Sequence, residues 1–149
     1  KSFEVNDPQL DTKLLIATQG SAYKDAVVAE VVSHFRKHPI YIKVIDVYEL
    51  PNTALPPWDA IALIHTWEIW RAPAPVRHFF QQSPDLSKLA VHVTSGDGHY
   101  KMEGVDAITG ASVPALATKK AALLTKRIEQ ILSRQSAADQ LSRAAEFNQ

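Results

Sequence analysis

The chain contains no cysteine, which excludes disulfides, thiolate metal sites and a cysteine nucleophile. It also lacks an excess of either charge. Its 16 basic side chains are matched by 16 acidic ones, so the balance favours neither nucleic acid nor an anionic membrane as a partner. No apolar run approaches the roughly 20 residues of a membrane-spanning helix. The phosphate-binding pattern G-x-x-x-x-G-K-[ST] and the nucleophile-elbow pattern G-x-S-x-G do not occur. The single methionine is Met102 and the first residue is Lys1. A processed protein exported to a bacterial periplasm and a cytoplasmic one are both consistent with that, and the composition does not choose between them.

What is present is an ordinary globular composition, 46% hydrophobic and 21% charged. The 149 residues suit one domain, expected over 1–133, followed by a polar C-terminal helical extension or tail over 134–149. After a polar lead from Lys1 to Thr12, the run Leu14–Ala17 reads as a buried strand and Lys24–Lys37 as a helix. "IYIKVIDVYEL" is rich in β-branched residues. "PNTALPP" then leaves no room for a full second helix before the third apolar run, "DAIALIH". A short helix is expected from about Pro75 to Gln82, a fourth strand in "KLAVHVTS", a reduced fifth in "VDAIT", and a long amphipathic helix in "VPALATKKAALLTKRIEQIL". Nearly continuous apolar strands alternating with helices predict an α/β, three-layer sandwich around a mostly parallel sheet of four or five strands.

In such a sheet, ligands bind beyond the carboxyl ends of the strands. The first loop there is "ATQGSAYK", where Gly20 can take a positive φ and Thr18, Ser21 and the opening amides of the helix can donate to an anion. The same residues also suit any strand-to-helix turn. The third strand leads into "HTWEIWRAPAP", whose Trp67 and Trp70 are candidates to stack on a flat aromatic ligand or to cover a cluster beside Pro73 and Pro75. The fourth ends in "TSGDGHY", where Gly96 and Gly98 permit close backbone approach and Tyr100 offers another ring. Ser95, Asp97 and His99 alternate along that loop and point apart, which argues against a hydrolytic triad. His34 and His38 share a helical face, but no third ligand lies near them in sequence, so no metal site is expected.

Together these three loops resemble the phosphate loop and the two flavin-flanking loops of flavodoxins and flavodoxin-like quinone reductases. "HTWEIWRAPAPVRHFFQQ" is similar to the reductases' aromatic loop followed by a proline-led helix, and the resemblance spans about Lys13 to Leu132. It implies strand order 2-1-3-4-5, FMN as cofactor, and electron transfer with a redox protein partner, with no side chain needed as acid or base. Thr18, Gly20 and Ser21 would hold the phosphate. Trp67 would lie against the isoalloxazine ring with Thr66 and Trp70 in the same loop, and Ser95, Gly96, Asp97 and Tyr100 would complete the other side. Gln19 and Ala22 stand where flavodoxins carry further hydroxyls. The rival reading is a cofactor-free module of this fold whose aromatic loops contact another small molecule or a protein.

A second motif competes for the flavin. Asp106, Thr109, Gly110, Ala111 and Ser112 resemble the acceptor sequence of exported proteins that carry FMN covalently on a threonine or serine, which would make Ser112 the attachment residue. Ser112 also reads as an N-cap two residues before Pro114. With the implied strand order, its loop lies about 14 Å from the loop after strand one, at about 4.8 Å per strand, so one phosphate cannot occupy both.

Overall fold

The apolar run at Leu14–Ala17 becomes the centre of the sheet. The structure is a computed structural model that describes residues 2–66, 73–82, 85–95, 107–111 and 116–147. In it, β2 (Thr12–Thr18) leaves Leu14, Leu15, Ile16 and Ala17 fully buried, because helices cover both faces of the strand. The helix α1 (Ala22–Phe35) returns the chain to β3 (Ile40–Asp46). The remaining parallel strands are β4 (Ala60–Thr66), β5 (Leu89–Ser95) and β6 (Ala107–Ala111), with α2 (Ala74–Gln81) between β4 and β5 and α3 (Ala117–Phe147) closing the chain.

The strand order is β1-β3-β2-β4-β5-β6, and the five strands from β2 to β6 are parallel. Counted from β2, those five run 2-1-3-4-5. The sixth strand corrects the sequence reading. β1 (Phe3–Val5) lies within the expected polar lead, and it pairs antiparallel to β3 with Glu4 opposite Lys43. The sequence between Leu50 and Trp58 contains no second α-helix. A 3₁₀ helix over Val47–Asn52 takes its place, capped by Asp46 at its start and by Thr53 at its end, with Pro51 inside its last turn.

Alternating strand residues serve two cores. Leu14, Ile16, Ala62 and Ile64 pack under α1 and α3, while Leu15, Ala17, Leu63 and Val91 pack under α2 and the 3₁₀ helix. Trp58 closes the second core by stacking on Tyr41 at 5.8 Å, with its indole N–H donating to the Ala54 carbonyl at 2.9 Å. The helix α3 runs unbroken through the polar segment after Leu132 to Phe147. Among the described residues, no helix is long and apolar enough to cross a membrane.

Asn6 ends β1 in the left-handed region at φ 69°, and its Nδ2 group reaches the carbonyl of Ile40 at 2.9 Å and those of Arg36 and His38 at 3.3 Å. Asparagine tolerates that backbone and its side chain uses it to tie the edge strand to the end of α1. Asn6→Ala is expected to lower stability by about 2 kcal/mol, from strain and lost hydrogen bonds together, and Asn6→Gly by about half as much. Urea denaturation of the two variants distinguishes these terms, and equal losses would rule out a backbone contribution.

Candidate functional site

The carboxyl ends of β2, β4 and β5 converge beside the N-terminus of α1. Ser21 caps that helix from extended backbone (φ −167°, ψ 162°), its Oγ accepting the Lys24 N–H at 3.2 Å. The amides of Ala22 and Tyr23 open the helix and, as in any α-helix, have no intrahelical acceptor. The Lys24 ammonium lies 3.3 Å from Ser21 Oγ, and the residue is only 4% exposed. A buried cation at the positive end of a helix dipole makes this mouth attractive to an anion.

Gln19, which stands where a flavodoxin hydroxyl was expected, fastens the loop to the neighbouring strand. Its N–H donates to the Ile64 carbonyl and its Oε1 accepts the Thr66 N–H, both at 2.8 Å. Thr66 in turn meets Thr94, whose hydroxyl donates to the Thr66 hydroxyl at 3.2 Å. Thr18 and Thr66, the last residues of β2 and β4, and Thr94, the last but one of β5, therefore lie on the face covered by α1 and α3. Thr18 Oγ1 is buried and has no hydrogen-bond partner among the described residues.

Beneath this row, the hydroxyl of Tyr23 and Nε2 of His92 share a 2.9 Å hydrogen bond across 69 positions of sequence. Both residues are buried, and burial raises the pKa of the Tyr23 phenol above its ordinary value.

Gly20 departs from expectation. It does not adopt a left-handed φ, and a Cβ placed on it would meet nothing within 4 Å. Gly20→Ala is thus expected to leave stability unchanged or raise it by up to about 1 kcal/mol. A larger loss in a thermal melt would show that the backbone freedom of glycine is used. Thr18 and Gly20 also line a cavity of about 580 Å³ whose wall carries Asp25 and Asp46. Among its described lining residues, the carboxylates of Asp25 and Asp46 suit a cation better than a phosphate, and neither Ser21 nor Lys24 lines it.

Of the residues singled out in the sequence, Thr18, Gly20, Ser21 and Thr66 are brought together here. Trp67, Trp70, Gly96, Asp97, Tyr100 and Ser112, and the side chain of Ser95, lie outside the described residues. The sequence reading missed Gln19 as a clamp, and also Tyr23, Lys24, His92 and Thr94. A signal existed for two of them. Tyr23, Val27 and Val31, and Lys24, Val28 and Val32, fall on the buried stripe of α1 at helical spacing. At the far end of α1, His34 Nε2 pairs with Glu129 at 2.6 Å, and among the described residues no group of three His, Asp or Glu side chains is placed to hold a metal ion.

No family model matches the chain, and no curated protein matches it. Solved structures do. A flavodoxin from the domain Archaea shares 13% identity at a TM-score of 0.55, the match covering 80% of this chain and 99% of that one. The Flv1 flavodiiron core of Synechocystis sp. PCC6803 shares 10% identity at a TM-score of 0.58, over 85% of this chain and 37% of that longer one. With five parallel strands in the order 2-1-3-4-5 and likeness of this extent to a whole flavodoxin, the chain has a flavodoxin-like fold.

Proposed function

We propose that this domain binds FMN non-covalently and passes electrons to and from a redox protein partner. The observation that carries the reading is the mouth of α1, where the Ser21 hydroxyl, two opening helix amides and the buried Lys24 ammonium meet at the carboxyl end of β2. This donor set fits a phosphate dianion. Ser21 keeps its own proton to donate while its oxygen caps the helix, and Lys24 supplies the counter-charge. Thr18 offers a buried hydroxyl at the adjoining strand end. Trp67 and Tyr100 are proposed to flank the ring, with Thr66, Trp70, Ser95, Gly96 and Asp97 around it.

FMN, when bound, supplies the redox chemistry, and the protein supplies binding, orientation and exclusion of water. The Gln19 clamp holds the phosphate-side loop against the start of the Trp67 loop, so that the two ends of one ligand are met by a fixed frame.

The test is a visible absorption spectrum of the purified protein after incubation with excess FMN and desalting, repeated on the pellet and supernatant after acid precipitation. Flavin retained on desalting and released into the supernatant is the expected result. Flavin kept in the pellet would instead assign covalent attachment, with Ser112 the first residue to substitute. No retained flavin would overturn the reading in favour of a cofactor-free binding module.

A further inference from the structure

We infer that Tyr23 is a positioning residue for the phosphate end of the flavin, acting through its buried hydrogen bond to His92; this rests on the FMN reading above. Tyr23 stands in the opening turn of α1, directly after Ala22 and two positions from the Ser21 cap. Its ring projects inward over the sheet, and its hydroxyl meets His92 Nε2 at 2.9 Å. His92 lies on β5 between Ala90 and Thr94 on the same face, with Ile64 of β4 and Ile108 of β6 as register neighbours. The ring centroids are 5.8 Å apart and tilted by 54°, so the contact is made through the polar atoms rather than by stacking.

The consequence is mechanical. The helix α1 covers the β2 side of the sheet, whereas the loop expected to flank the flavin ring follows β5. One buried hydrogen bond joins the turn that presents the phosphate donors to the strand that precedes that loop. Both residues are buried, Tyr23 at 3% and His92 at 0% exposure, so water competes little for the bond in the folded domain. A donor set that must meet a phosphate within a few tenths of an ångström needs such an anchor beneath it.

The position of the bond predicts a selective defect. Tyr23→Phe keeps the ring and removes the hydroxyl, freeing the turn to shift relative to β5. FMN affinity should fall roughly tenfold, the effect of about one well-placed hydrogen bond. Riboflavin lacks the phosphate, and its affinity should be unchanged.

The experiment is titration of the full chain with FMN and with riboflavin, each followed by quenching of flavin fluorescence, on the wild type, Tyr23→Phe, His92→Leu and His92→Gln. Circular dichroism checks that each variant is folded. The expected result is a reduced FMN-to-riboflavin affinity ratio in Tyr23→Phe and His92→Leu, with the wild-type ratio kept in His92→Gln, whose amide can still meet the Tyr23 hydroxyl. If loss of the buried partner unfolds the first two, a wild-type ratio in His92→Gln together with a reduced one in His92→Asn, whose shorter amide falls short of the hydroxyl, carries the same decision. An unchanged ratio in the folded variants, with affinity for both flavins intact or lowered equally, overturns the positioning role and leaves the FMN reading standing. No flavin bound by the wild type overturns both.

Discussion

Replacing Ile128 with lysine is expected to abolish cooperative folding, whereas Leu141→Lys in the same helix should change stability by less than about 0.5 kcal/mol. Ile128 is fully buried and belongs to the stripe Ala117, Ala121, Leu124, Ile128 and Ile131, through which α3 joins the core shared with α1 and β4. Leu141 is 73% exposed. An ammonium at position 128 would be placed inside this apolar cluster, which among the described residues contains no carboxylate. The penalty, several kcal/mol for an unpaired buried charge on top of the lost aliphatic packing, is comparable to the roughly 5–15 kcal/mol that holds a domain of this size together. Ile128→Ala is the milder member of the series, expected to cost about 2–5 kcal/mol. Urea denaturation followed by circular dichroism reads all three. A cooperative, near-wild-type transition in Ile128→Lys would mean that α3 does not dock on the sheet through this stripe.

How much of this was legible in the sequence depends on how local each signal is. Strands buried on both faces read as continuous apolar runs whatever their neighbours, which is why Leu14–Ala17 and the run ending in His65 were found from the residues alone. Their order was carried by the resemblance, since nothing in a strand names its neighbour. β1 was not legible: three half-exposed residues, Phe3, Glu4 and Val5, make a strand only because β3 offers an open edge, and Asn6 turns the chain with contacts thirty or more positions away.

The site divides in the same way. Ser21 is legible as a cap because Gly-Ser punctuates the change from strand to helix. Gly20 was misread, because its sequence context suits a positive φ that the turn does not use. Gln19 looked like a missing hydroxyl, whereas its side chain bonds the backbone of Thr66, a partner set by the sheet and invisible along the chain. The Tyr23–His92 bond is further still from any local pattern.

Ser21→Asp should weaken FMN binding by about 100-fold or more while leaving riboflavin binding and stability near wild type. The substitution separates two roles that one hydroxyl combines. As a cap, aspartate serves as well as serine, accepting the Lys24 N–H and interacting favourably with the helix dipole, so α1 should form as before. As a phosphate ligand it is the opposite of serine, because the donor proton is replaced by a negative charge a few ångströms from a dianion. At 4 Å and an effective dielectric of about 20, each pair of like charges costs about 4 kcal/mol. Partial neutralisation by Lys24, 3.3 Å from the Ser21 oxygen, reduces that figure, and about 2.7 kcal/mol already corresponds to a hundredfold. Ser21→Asn is the neutral control: it caps equally well without the charge and should lose far less affinity. The deficit of Ser21→Asp should also shrink as salt is raised, since partly exposed charges are screened. If Ser21→Asp bound FMN as tightly as the wild type at low salt, the phosphate could not lie at the mouth of α1. A flavin that still bound would then have to place its phosphate elsewhere, and the sheet leaves the loop after β6, three strands away, as the alternative to be tested through Ser112.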